Sequence, residues 1–274
     1  MHRRDLLQLL LAAGAGALLP ARLRVGPSGI APGIQLYTVR SLMAKDVAGT
    51  LRAIAEIGYR EVEFAGLHGT TPAAMRRLLD DLELVSPASH VGLDALRRDA
   101  AAVFAEAKAL GNRYVVVPWL DQRERETIAG YEAIARELDA LGRRAQDAGL
   151  QLGYHNHDFE LAPIDGVVPY DVLLARTDPA FVTMELDLFW LAKGGGDPAA
   201  YFTRHPGRFS MVHVKDMASN GAMVDVGSGT LDFEKVFEAA DRAGIRHAFV
   251  EHDSPEDPIA SIRASHAALA RLLS

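Results

Sequence analysis

Apolar runs of four to seven residues recur eight times along the chain, and a stretch with helical spacing follows nearly every one. That alternation restricts the fold more than any other feature. The runs are residues 34–39, 59–64, 84–90, 114–117, 150–154, 181–187, 209–214 and 248–251. Several, such as Tyr114-Val115-Val116-Val117, are apolar on both faces, as parallel strands covered by helices must be. The intervening stretches carry helix punctuation: residues 46–57 stop at Gly58, Thr71-Pro72 opens a helix, and residues 93–110 end at Gly111-Asn112. Residues 123–148 end at Gly149, and a last helix covers residues 259–272. Eight such units close into a (β/α)8 barrel, the TIM barrel, more readily than they make an open sheet. At 274 residues and 49% hydrophobic, the chain suits one such α/β domain, and no linker divides it after Gly33. A single barrel over residues 33–274 is expected.

Residues 1–25 stand apart. Arg3-Arg4-Asp5-Leu6-Leu7-Gln8 is a twin-arginine head, and an apolar run rich in Leu and Ala follows it to Leu19. This has the form of a twin-arginine export signal and is short for a transmembrane span. Export to the periplasm is expected. No clean A-x-A cleavage site follows, so anchoring to the inner membrane by an uncleaved segment is the alternative. A surface or oligomer-contact helix is the other reading of the stretch and leaves a homo-oligomer open. A net charge of −7 argues against nucleic acid as the main partner. The absence of cysteine excludes disulfides, thiolate chemistry and cysteine-ligated zinc.

In a TIM barrel the functional residues collect at the C-terminal ends of the strands. Those ends carry Tyr37, Glu63, His90, Trp119, His155 with His157, Asp187 with Trp190, His213 with Lys215, and Glu251. A lone aspartate there usually caps the next helix, and a lone histidine is usually just hydrogen-bonded. Four consecutive strands ending in His, Asp, His and Glu point instead to a shared metal site. Two imidazoles and two carboxylates suit one divalent ion such as Mn²⁺, Co²⁺, Zn²⁺ or Fe²⁺ better than Ca²⁺. Such an ion polarises a carbonyl and stabilises the charge that develops when a proton leaves the adjacent carbon. Glu251 or a histidine, His157 or His155, is placed to move that proton, and Lys215 to steady an enolate. Trp119 and Trp190 offer flat faces for a sugar ring, with Tyr37, Glu63, His90 and Lys215 as further substrate-binding candidates. No phosphate cradle of P-loop or Rossmann type is present, so a non-phosphorylated small-molecule sugar or keto-sugar is expected. The glycine-bearing loop over residues 221–229 is expected to be a flexible lid or a plain surface loop.

These residues resemble the sugar phosphate isomerase/epimerase family of xylose isomerase-like barrels. The resemblance spans roughly residue 33 to the C-terminus. It rests on Gln35-Leu36-Tyr37-Thr38-Val39-Arg40, Gly153-Tyr154-His155-Asn156-His157-Asp158, Asp187-Leu188-Phe189-Trp190, His213-Val214-Lys215-Asp216, Val226-Gly227-Ser228-Gly229 with Asp232-Phe233, and Glu251. It implies that His155, Asp187, His213 and Glu251 hold the metal. It also implies an isomerase, epimerase or lyase acting α to a carbonyl through a metal-stabilised enediolate. Epimerases of the family typically carry Glu on strand five, where this chain has His155; alternatively His157 is the ligand with His155 behind it. This departure favours elimination or one-sided proton transfer over 3-epimerisation. The competing functions are a non-catalytic sugar-binding barrel and a DNA-repair endonuclease of the same superfamily.

Overall fold

Eight short parallel strands hydrogen-bond into one closed ring in the computed structural model, which describes residues 29–274. The strands are β1 (Pro32–Gln35), β2 (Glu61–Phe64), β3 (Val85–His90), β4 (Tyr114–Val117), β5 (Gln151–His155), β6 (Val182–Asp187), β7 (Phe209–Val214) and β8 (His247–Val250). β1 closes the ring by pairing with both β2 and β8. The expected TIM barrel is therefore the fold. The expected export segment, residues 1–25, lies outside the described residues.

Successive strand residues point to opposite faces, which separates two cores. The outward set, including Val115, Val117, Leu152, Tyr154, Val212 and Val250, joins the helices in one large apolar layer. The inward set is small: Ala88, Tyr114, Val116, Met211 and Phe249 form a separate buried plug. Gly33 is required there, because a Cβ at that position would meet Phe249 Cδ1 at 2.6 Å. Two residues further along, on the same inward face, the character changes. Gly33, Ala88, Gly153, Met211 and Phe249 are followed at that spacing by Gln35, His90, His155, His213 and Glu251. The period of the strand thus sets a polar floor directly on the apolar plug.

Three expectations are corrected in detail. The first strand stops at Gln35, not at residue 39, because the Gln35 side chain accepts from Tyr37 N and starts a 3-10 turn, Leu36–Val39. Tyr37 consequently stands on the rim, 43% exposed. The helix expected from residue 123 begins at Ile128, where Thr127 accepts from Gly130 N. The helix Leu93–Leu110 is broken at Asp99, which leaves helical geometry and caps the second half through Ala102 N.

The loop over residues 221–229 is a clamped structure. It contains the second strand of a short hairpin, Met223–Val224 paired with Asp216–Met217, and the buried Asp216 carboxylate accepts from the backbone N–H of Met217, Gly227, Gly229 and Leu231. Gly229 is needed, since a Cβ there would lie 2.2 Å from Asp216 Oδ1. Four donors on one carboxylate tie this segment down, which argues against a freely flexible lid. Asp216→Ala leaves the buried donors unpaired and is expected to cost about 3 kcal/mol. Urea denaturation of the variant checks this; a loss below about 1 kcal/mol would contradict the clamp.

Candidate functional site

The polar floor is organised around His213, which is fully buried in β7. Its Nδ1 lies 2.7 Å from Glu251 Oε2, and its Nε2 lies 2.7 Å from Glu63 Oε2 and 3.2 Å from Glu185 Oε2. Burial would lower its pKa, but the three carboxylates hold it well above the usual histidine range. Glu63 is fully buried and also accepts from Gln35 Nε2 at 2.8 Å. Burial, and then the neighbouring Glu185 charge, push Glu63 up to about 7. Burial would raise Glu185 too, but the charges of His213 and His90 hold it well below the usual carboxylate range.

Three imidazoles face the same oxygen. His90 Nε2 lies 2.6 Å from Glu185 Oε2, and His155 Nδ1 and His213 Nε2 each lie 3.2 Å from it. On its other side His155 turns Nε2 to Asp187 Oδ2 at 3.7 Å. Burial, and then the His213 charge, hold His155 well below the usual range, so it is neutral at pH 7.

Asp187 is both a helix cap and a site residue. Its Oδ1 accepts from Trp190 N and caps Leu188–Lys193, while Oδ2 faces His155 Nε2 and Lys215 Nζ. Burial raises Asp187 to about 6 against the opposing Lys215 charge. Lys215, almost fully buried, sets its Nζ 3.0 Å from Asp187 Oδ2, 2.8 Å from Glu251 Oε2 and 2.9 Å from Asp253 Oδ1. Burial disfavours this ammonium, but the three carboxylates raise its pKa above the ordinary value and keep it charged. In turn Lys215 and His213 hold Glu251 well below its usual range, against the upward push of burial.

Above this floor opens a cavity of about 620 Å³. Of the expected substrate-binding residues, Tyr37, His90, Trp119, Trp190 and Lys215 line it, as do His155, His157 and Glu251. Glu63 does not; it lies under the floor, drawn in by Gln35 and His213. His157 is held at the wall by Glu160, which accepts from His157 N and from Tyr154 Oη. Its ring packs edge-on to Trp119 and parallel to Phe159. Burial, and then Lys215, push His157 down to about 3, so it is a neutral imidazole. Trp190 Nε1 and His157 Nδ1 are buried at this wall with no hydrogen-bond partner.

The donor chemistry fits a divalent ion. Two quartets each bring four ligand atoms within 4.8 Å of one another: His155, Asp187, His213 and Glu251, as expected, and also His90, His155, Glu185 and His213. His157 belongs to neither. His155 Nδ1, Glu185 Oε1 and Asp187 Oδ2 are buried without a well-aligned hydrogen bond, and such atoms call for a partner. Sequence reasoning overlooked Glu185, Gln35, Glu160, Phe159 and Asp253. Glu185 carried a usable signal, as a carboxylate inside an apolar strand two residues before Asp187 and hence on its face.

The match to known proteins follows the same barrel. The family model described as xylose isomerase-like TIM barrel matches residues 51–272. The inosose dehydratase of Lacticaseibacillus casei is 27% identical over 156 residues, covering 50% of this chain and 51% of that protein. The chain therefore spans about half the length of that curated relative. The rhizopine catabolism protein MocC of Rhizobium meliloti is 27% identical over 265 residues, 81% of this chain and 80% of that one. A solved sugar phosphate isomerase/epimerase from Parabacteroides distasonis ATCC 8503 superposes with a TM-score of 0.78 at 24% identity, over 89% of this chain and 100% of that one, which supports the fold. With a closed eight-stranded ring and a family match that runs from the first helix of the barrel to its last, the chain belongs to the xylose isomerase-like TIM barrel family.

Proposed function

We propose that this chain is an enzyme that removes a proton from the carbon beside the carbonyl of a keto-sugar or keto-cyclitol and expels a β-substituent, as a dehydratase or lyase does. The observation that carries this reading is Lys215. A buried ammonium shared by Asp187 and Glu251 at the floor of an aromatic-walled cavity is a fixed positive charge beside a carboxylate base. The name of an inosose dehydratase among its relatives agrees with a polyol-like ketone.

Trp119, Phe159 and Trp190 take the ring of the substrate, and the unpartnered Trp190 Nε1 and His157 Nδ1 orient its hydroxyls. Lys215 donates to the carbonyl oxygen. Glu251 takes the α-proton, and the negative charge gathers on the oxygen that Lys215 holds. As the ammonium shifts toward that oxygen, its pull on Glu251 weakens and the carboxylate becomes basic enough to keep the proton. The enolate then expels the β-substituent, which leaves with the proton Glu251 carries. One carboxyl thus serves as base and acid, in keeping with the histidine on β5. A divalent ion of the Mn, Co, Zn or Fe type, held by donors from the two quartets, would supply Lewis-acid polarisation of the carbonyl.

The test is conversion of inososes, 3-keto-glycosides and simple ketoses by the protein loaded in turn with each of the four metals, followed by NMR. Loss of water or aglycone from a ketone is expected. Tight binding without conversion under every metal would favour a sugar-binding barrel instead.

Export through Arg3 and Arg4 belongs to the same proposal. Replacing both with lysine is expected to leave the protein in the cytoplasm, and unchanged periplasmic recovery would refute it. Among the described residues no helix is long and apolar enough to cross a membrane.

A further inference from the structure

The aromatic wall of the cavity is held from behind by two charged side chains that do not line the cavity themselves, Glu160 and Arg125. Glu160 is fully buried and lies in the turn that follows β5. Its Oε1 accepts from Tyr154 Oη on the strand, and its Oε2 accepts from His157 N at 2.8 Å. Its backbone carbonyl accepts from Tyr170 N at 2.8 Å, in the first turn of the helix Pro169–Arg176. One residue thus ties strand, turn and helix together. The two rings carried by that turn, His157 and Phe159, lie parallel with centres 5.5 Å apart.

Arg125 holds the same wall from the loop after β4. Its Nε donates to Leu120 O, and its guanidinium carbon lies 3.6 Å from the Phe159 ring centre and 5.1 Å from that of Trp119. Trp119 in turn packs nearly perpendicular to both rings of the turn, at 4.9 Å from His157 and 5.0 Å from Phe159. Arg125 therefore joins the β4 loop to the β5 turn, and its charge reaches Glu160 as well.

We infer that Glu160 and Arg125 are positioning residues that set how tightly the substrate ring is held, with no part in the proton transfer. This rests on the reading of the cavity as the substrate site. A wall of rings binds well only if it keeps one arrangement before the substrate arrives. Here hydrogen bonds to Glu160 fix the turn, and one cation fixes two rings relative to each other. The reacting pair stands apart from this clamp: Lys215 and Glu251 bond to Asp187, His213 and Asp253 and to each other. Loosening the clamp should therefore weaken binding and spare the chemistry.

The chain has two tryptophans, Trp119 and Trp190, and both stand in this wall, so intrinsic fluorescence reports on it directly. The test compares the full-length wild type with Glu160→Ala, Glu160→Gln and Arg125→Met, each first shown to be folded by circular dichroism. Acrylamide quenching of the tryptophans is measured without substrate. Values of kcat and KM are measured with whichever inosose, 3-keto-glycoside or ketose the wild type converts. Glu160→Ala should raise KM about 10-fold, the equivalent of one buried hydrogen bond lost from the wall, and leave kcat within about threefold. Acrylamide should also quench its tryptophans more strongly than those of the wild type. Glu160→Gln keeps an oxygen for His157 N and an amide that can donate to Tyr154 Oη, so it should bring both readings back near wild type. Arg125→Met should raise KM about threefold, the worth of one cation–π contact, again at nearly constant kcat. Unchanged KM and quenching in Glu160→Ala overturn the inference. So does a fall in kcat at constant KM, or a glutamine variant as impaired as the alanine one. If Glu160→Ala fails to fold, Arg125→Met decides, and unchanged KM and quenching there overturn the inference. A wild type that converts none of the ketones overturns the proposed function instead, and quenching alone then decides whether the clamp orders the wall.

Discussion

Replacing His213 with alanine is expected to cost about 3–5 kcal/mol of folding stability, enough to consume much of what a domain of this size has to spare. Its imidazole is the common partner of Glu63, Glu185 and Glu251, all buried at 2.7–3.2 Å from it. Without it, three carboxylates face one another in the barrel with His90, His155, Gln35 and Lys215 left to compensate. The effect has a pH signature in the presence of chelator. The His213 pKa is raised on folding, so its stabilising contribution is complete below the ordinary histidine range and is lost as the pH climbs through the raised folded value. The stability gap between wild type and variant should therefore narrow toward alkaline pH. Urea titrations across that range check it; a gap below about 1 kcal/mol at pH 6 would remove His213 from the centre of the network.

Glu251→Gln is expected to lower kcat by about 10²-fold or more, the range for losing a positioned acid/base group. Glutamine keeps the size of the side chain and an oxygen toward His213 and Lys215, so the floor retains its shape. What disappears is the charge that accepts the proton. KM should change little, because the ring is held by Trp119, Phe159 and Trp190. Steady-state kinetics on the ketone identified in the substrate panel supplies the check. A variant with wild-type kcat would transfer the role to His157, the neutral imidazole at the wall.

Much of this was legible in the sequence, because a strand has a period of two and a barrel puts its strand ends in one place. His155, Asp187, His213 and Glu251 are brought within reach of one another as that pattern requires. What escaped depends on lateral contacts that no spacing encodes. Glu63 reads as a rim residue, yet Gln35 from the neighbouring strand and His213 from across the ring draw it beneath the floor. Glu185 reads as an interruption in an apolar strand until the three histidines around it are seen. Lys215 reads as a substrate contact, and its bridge between Asp187 and Glu251 shows only when β6 and β8 flank β7. The loop over residues 221–229 looks free because its tether, Asp216, is buried beyond the reach of local pattern.

The central claim is that this mouth takes a proton from the carbon beside a carbonyl, and solvent hydrogen exchange at that carbon tests it most directly. The metal-loaded wild type is incubated in D₂O with a ketone it binds, and the α-position is followed by ¹H NMR. Deuterium should enter the α-carbon of remaining substrate or of product, and the exchange should be slowed about 10²-fold or more in Glu251→Gln. Turnover that leaves the original hydrogen on every α-carbon would contradict the account.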